Sequence, residues 1–227
     1  AGQVEQEREV ELAAHNFGSW EGETEGHEFS DPAITPRVEV KTKETEQAHL
    51  VFGGEALTRG DHRRFSFGLL HHILGAGLYS RLFRETREER GLAYAVYSFR
   101  MPYADSGAYG IYAGTTPRQA PQVLELICDG LAGLAADGVT ADELERAKGN
   151  MKGSLALSME ETNSRMIRLG RHELTGVPHL SLDETVAAIE GVTREEVHEV
   201  AREVFSSPRV LGAVGPFEAP DLEEFVR

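Results

Sequence analysis

A single cysteine, Cys128, stands in the whole of this sequence. A disulfide framework needs paired thiols and a Cys-based zinc site needs several, so arithmetic excludes both. Cys128 lies between Ile127 and Asp129, at helical spacing from Leu124 and Leu131, and reads as a buried, inert thiol. The lack of disulfides fits a reducing compartment, and a cytoplasmic location is expected. Long apolar runs are also lacking. No stretch approaches the roughly 20 apolar residues that span a bilayer, so no membrane partner is expected. The start, Ala1-Gly2-Gln3-Val4-Glu5, has neither the basic head nor the apolar core of an export signal. Positive charge is scarce: 23 Lys and Arg against 38 Asp and Glu give a formal charge of −15. Nucleic-acid binding draws on counterion release by clustered Lys and Arg, and this balance argues against it. A basic ligand would be attracted instead, though an acidic surface that keeps the chain soluble is the plainer reading.

Catalytic signatures are missing as well. There are 9 histidines, yet none has the spacing that points two imidazoles at one ion. His27-Glu28 is followed by Asp31, His172-Glu173 by Gly176 and His198-Glu199 by Arg202, so neither H-E-x-x-H nor its inverse H-x-x-E-H occurs. His71 and His72 are adjacent and would point about 100° apart on a helix. No metal ligands are therefore assigned to this chain. A G-x-S-x-G elbow, a phosphate loop ending in Gly-Lys-Ser/Thr and a Cys nucleophile are all absent. Gly75-Ala76-Gly77 lacks the strand-before, glycine-after setting of a dinucleotide fingerprint.

What is present is a soluble composition, 40% apolar and 27% charged, with well-marked periodicities. Residues 5–17 predict a short helix through Val10, Ala13, Ala14 and Phe17. Residues 18–36, with Gly18, Gly22, Gly26, Pro32 and Pro36 among acids, read as a linker. Two strands follow, around Val38 and Val40 and over 47–53. A helix with Phe65, Leu69, Leu70, Ile73 and Leu74 on one face ends at Gly75-Ala76-Gly77. Ser80 is placed to cap a second short helix through about Glu89, with Leu82 and Phe83 inward and Gly91 stopping it. A hairpin is expected next. Its first strand, 93–100, carries Tyr94, Val96 and Ser98 on one face and Ala95, Tyr97 and Phe99 on the other; its second covers 108–115. The remainder is helical. Pro117 sits at a first helical position, and capping boxes pair Thr140 with Glu143, Ser181 with Glu184 and Thr193 with Glu196. A last strand covers 209–215. This order gives an α+β class: a largely antiparallel sheet with helices packed on one face.

The run from Leu74 to Phe99, LGAGLYSRLFRETREERGLAYAVYSF, resembles the signature of the second half of zinc metallopeptidases of the pitrilysin and mitochondrial-processing-peptidase family. Glu46 to Gly53 is similar to that family's preceding strand. Ala1-Gly2-Gln3-Val4, a helix and His15-Asn16-Phe17-Gly18 resemble the junction that closes its first domain. The resemblance implies one half of a clam-shaped fold in which two homologous halves close around a peptide. It implies that residues 1–17 are the last helix of a preceding zinc-binding half, 18–36 a linker and 37–227 the C-terminal domain. Zinc is then expected in the missing N-terminal half, with no cofactor in this chain. The implied partners are a peptide substrate and the homologous zinc half, in the same chain or in a homo- or hetero-dimer. The family's second half contributes an Arg and a Tyr seven residues apart, a spacing that Arg87 and Tyr94 match. The resemblance assigns Tyr94 to the oxyanion and Arg87 to a substrate carbonyl. Read on residues alone, Arg87 would be a solvated helix face and Tyr94 a packing residue. Gly75 and Gly77 take the place of the family's substrate-handling glycine loop, either touching substrate or only closing a helix. A non-catalytic partner subunit or a structural scaffold relative is the alternative.

Overall fold

The computed structural model describes residues 2–22 and 34–226. Most of the segment read as a linker, residues 23–33, lies outside the described residues, as do Ala1, Arg227 and the His27-Glu28 pair. Two compact units divide the chain. In the larger, 34–152 joins 180–226; in the smaller, 2–22 joins 153–179.

The larger unit holds five strands: β1 (Arg37–Thr42), β2 (Ala48–Glu55), β3 (Ala93–Pro102), β4 (Gly107–Thr115) and β5 (Arg209–Gly215), in the sheet order β1-β5-β2-β4-β3. The strands alternate inward and outward with the period of two that a pleated strand imposes. Ala48, Leu50 and Phe52 of β2 and Ile111 of β4 are fully buried, while His49 and Val51 are exposed. The buried face meets three helices. α2 (Arg64–Gly75) lies on β3, α4 (Ala120–Asp137) on β4 and α8 (Arg194–Phe205) on β2. Each presents an apolar stripe at helical spacing, such as Val197, Val200, Ala201, Val204 and Phe205 of α8. Burying one such side chain contributes about 1.5–3 kcal/mol. The class is α+β, as the pattern predicts, with one difference in pairing. β5 inserts between β1 and β2, and runs parallel to β1 and antiparallel to β2. In α2 the expected Phe65 is only half-buried, and Phe67 is the aromatic that enters the core. Cys128 is half-buried beside the Phe225 carbonyl, and burial raises its pKa, as suits an unreactive thiol.

All three capping boxes form. At the start of α5 (Ala141–Glu160) the Thr140 N–H donates to Glu143 at 2.8 Å and the Glu143 N–H to the Thr140 hydroxyl at 3.2 Å. The boxes of α7 (Leu182–Gly191) and α8 are complete in the same way. Glu143 does a second job: the Arg81 fork grips its carboxylate at 2.7 and 2.9 Å. Burial works to raise the Glu143 pKa, but the Arg81 guanidinium and the Thr140 donors outweigh it and hold the carboxyl at about 2. A carboxylate depressed by folding stabilises above its unfolded value and loses that contribution as pH falls through the folded one. Stability is therefore expected to drop between about pH 4.5 and pH 2. Glu143→Gln should flatten that part of a denaturation-versus-pH profile while lowering stability at pH 7.

In the smaller unit, α1 (Gln6–Phe17) and α6 (Thr162–Thr175) contain no buried residue. Phe17 and Trp20 meet edge-to-face at 5.0 Å, and both stay more than half exposed.

Candidate functional site

The segment from Gly75 to Tyr94 departs repeatedly from regular geometry. α2 ends where it presses on β3. A Cβ at Gly75 would lie 2.8 Å from both the Ser98 nitrogen and its hydroxyl oxygen, and 2.9 Å from its Cβ. The Ser98 hydroxyl in turn donates to the His71 carbonyl at 3.3 Å. Gly75 thus has a packing role that asks nothing of a substrate. Gly75→Ala should destabilise by about 1–3 kcal/mol, the usual cost of overpacking, read as a lower urea midpoint with unchanged slope. Gly77 lies in looser surroundings. It borders a small cavity of about 80 Å³ with His72, Ser80, Glu143 and Asn150. Ser80 occupies the expected cap position of α3 (Arg81–Phe83), but its side chain makes no capping bond. Its oxygen is buried without a hydrogen-bond partner among the described residues.

After α3 the helix widens into a π-turn, Arg84–Glu88. Such turns insert one residue into the helical ladder and re-aim the side chains that follow. The turn is fastened from three sides. Leu82 is fully buried. The buried Thr86 donates its hydroxyl to the Leu82 carbonyl at 2.6 Å. Beyond Gly91, whose φ of +62° turns the chain back, the Leu92 N–H donates to the Thr86 carbonyl at 2.7 Å. The Thr115 hydroxyl of β4 holds the Leu92 carbonyl. Residues 86 and 92 are therefore neighbours, with Arg87 next in sequence to the first and Tyr94 two residues beyond the second.

β3 then begins with a bulge. Ala93 pairs with Thr115 and Ala95 with Gly114, leaving Tyr94 as the extra residue. Strict alternation places Tyr94 with Val96 and Ser98 on the helix-covered face, and the bulge overturns that expectation. Ala93 and Val96 are each 6% exposed and point inward, while Tyr94 is 58% exposed. Two residues between inward-pointing neighbours must both face away from the core, so Tyr94 and Ala95 lie on the open face of the sheet. A β-bulge characteristically re-aims one side chain in this way.

Both candidate donors are uncommitted. Arg87 is exposed and makes no salt bridge among the described residues; its guanidinium sits 5.3 Å from the centre of the Phe83 ring. The Tyr94 hydroxyl has no hydrogen-bond partner among the described residues. The open face beyond Tyr94 carries residues that periodicity read only as strand. Tyr97 of β3, Tyr112 of β4, Val51 of β2 and Gly212 of β5 stand in one register line. The Tyr97 and Tyr112 ring centres are 5.1 Å apart, and the Tyr112 hydroxyl is 2.8 Å from His49 Nδ1. The signal for this surface is in the sequence: glycines at 53, 110, 114 and 212 fall on the outward beat of the strands.

No three His, Cys, Asp or Glu side chains among the described residues converge as a metal site. His71 and His72 face different surroundings. Burial and the nearby Arg100 charge push His71 down to about 4, and burial also lowers His72. No helix among the described residues is long and apolar enough to cross a membrane.

Comparison with known proteins bears on the family and the fold. A protein of Streptomyces coelicolor named as an uncharacterized zinc protease is 43% identical over 80% of this chain and 40% of its own length. A Bacillus subtilis protein of the same description is 42% identical over 88% of this chain and 49% of its own length. The chain thus spans about half the length of the curated relatives it matches. Among solved structures, a peptidase M16 inactive domain from Pseudomonas fluorescens superimposes with a TM-score of 0.83 at 24% identity, covering 95% of this chain and 52% of that one. A protease from Helicobacter pylori gives 0.81 at 19% identity over 94% of this chain and 53% of that one. Residues 1–151 match the family described as the peptidase M16 inactive domain. A sheet clad on one face, carrying that family's signature where its regular geometry breaks, belongs to the peptidase M16 inactive-domain family.

Proposed function

We propose that this chain is the substrate-gripping half of a zinc endopeptidase that cleaves peptides inside a closed chamber. Tyr94 donates its hydroxyl to the oxyanion that develops on the scissile carbonyl. Arg87 holds a neighbouring main-chain carbonyl with its planar, permanently charged fork. The observation that carries this reading is the pair of irregularities, a π-turn under Arg87 and a β-bulge under Tyr94. Together they leave two donors, without hydrogen-bond partners among the described residues, within two residues of one hydrogen-bonded junction. Fixed donors aimed at developing charge are the most effective electrostatic contribution to such a reaction.

The described side chains do not fit a zinc ion, so zinc ligation is assigned to a homologous half, in the same chain or in a second subunit. The relatives' description as zinc proteases supports that assignment. In the same reading, residues 1–17 belong to that preceding half, 18–36 connect the halves and 37–227 form the gripping domain. The lack of any buried residue in α1 is what a helix built to seat elsewhere would show.

The test is Tyr94→Phe in the complete, zinc-loaded protein, with peptide cleavage as the readout and thermal unfolding as the control. A slow, fully folded variant supports the reading. A fully active one removes it and returns the chain to a scaffold role.

A further inference from the structure

The open face next to Tyr94 has its own chemistry. We infer that this face selects the substrate by an aromatic or branched aliphatic side chain, lodged a few residues from the scissile bond. The inference rests on the assignment of Tyr94 to the reacting carbonyl and names the substrate class for that site.

Three features carry it. The first is continuity: the bulge puts Tyr94 and Ala95 on the same face as Tyr97, so a peptide held at Tyr94 and running across the strands passes over that face. The second is relief. Gly212 leaves bare backbone at the end of the register line, and a Cβ built there meets nothing closer than the Val51 oxygen at 3.9 Å. Val51, Val210 and Val214 surround this floor on their own outward positions. On the same register line the Tyr112 ring, fixed by His49, stands beyond Val51, and the Tyr97 ring one strand further. The third is charge. From β3 across to β5 these register lines hold no charged side chain, although the chain carries 61 charged residues, 23 basic and 38 acidic. Charge returns only at β1, where Arg37, Glu39 and Lys41 pair in register with Val210, Gly212 and Val214. An apolar floor with a charged margin favours an apolar side chain, because a charged one would lose hydration without a partner.

Geometry sets the position. β3 and β5 are separated by β4 and β2, and strands lie about 4.8 Å apart, so the floor is roughly 14 Å from the Tyr94 strand. An extended peptide advances about 3.4 Å per residue, which places the selected side chain about four residues from the bond.

Gly212→Val fills the floor without disturbing the fold, since the added atoms enter open space and β-branched residues suit a strand. The experiment compares cleavage of two peptide sets by the complete zinc-loaded protein, one with Phe and one with Ala about four residues from the bond. Wild type should prefer Phe. Gly212→Val should reduce that preference about tenfold, the scale on which a hydrophobic pocket discriminates, chiefly through KM and with an unchanged melting temperature. Tyr97→Asp should reduce it further. An unchanged preference in both variants, with Tyr94→Phe still slow, overturns this inference and leaves the grip reading intact. A fully active Tyr94→Phe overturns the grip reading and, with it, the position assigned here, whatever the Gly212→Val preference. A change of oligomeric state in Tyr97→Asp on sedimentation would make the face an interface between copies and would also overturn the inference.

Discussion

Tyr94→Phe in the complete protein is expected to lower kcat for peptide cleavage about a hundred- to a thousandfold, the usual loss when one oxyanion donor is removed. The prediction is sharp because the hydroxyl has little else to do. Tyr94 is 58% exposed and its oxygen holds no partner among the described residues, so removing it breaks no internal bond. Unfolding midpoint and slope should both match wild type. KM should change little, since a donor that acts on the oxyanion contributes most in the transition state. Arg87→Lys should behave differently. It keeps the charge but loses the fork, and it also gives up the contact with Phe83. A rise in KM with a smaller fall in kcat is the expected signature of a residue that holds a ground-state carbonyl.

Leu82→Ala is expected to cost about 2–5 kcal/mol, the range for deleting a fully buried leucine. For a chain of this length that corresponds to a fall in melting temperature of roughly 5–15 °C. Leu82 is completely inaccessible, and its side chain approaches α4 where a Cβ on Gly130 would stand 3.6 Å away. Its carbonyl also receives the hydroxyl of Thr86, the middle residue of the π-turn. The cavity would therefore open between α4 and the start of the π-turn. Leu82→Met, close in volume, should recover most of the loss. If Leu82→Ala proved neutral, the π-turn would not be seated as described.

Local pattern made most of the elements legible, and the reason differs from one to the next. α8 was readable because a capping box and a clean apolar stripe agree. β2 was readable because its outward positions, His49 and Val51, alternate with a nearly continuous inner run. The β3–β4 hairpin followed from two alternating runs and a short polar turn. Two things were not readable. The insertion of β5 between β1 and β2 joins residues about 170 apart in sequence, and no window of local periodicity contains that information. The outward turn of Tyr94 depends on a single-residue bulge, and one extra residue inverts the face of everything before it. The family resemblance, through its seven-residue spacing, singled out Arg87 and Tyr94; the irregular backbone around them was invisible to local pattern. Gly75 taught the complementary lesson. Its place in the motif suggested substrate, whereas its contact with Ser98 gives it a structural reason to be glycine.

The parallel pairing of β1 with β5 also sets an order of assembly. During synthesis β2, β3 and β4 emerge together and are adjacent in the sheet, so they can pair as soon as they are made. β1 emerges before all of them and has a single sheet neighbour, β5, which emerges after α8. Until then β1 waits unpaired and β2 shows an open edge, the condition in which strands recruit the wrong partners. The slow event on this chain is thus the late entry of one seven-residue strand into a slot between two that were made long before it, and chain-closing contacts of that span are the ones that limit folding rates.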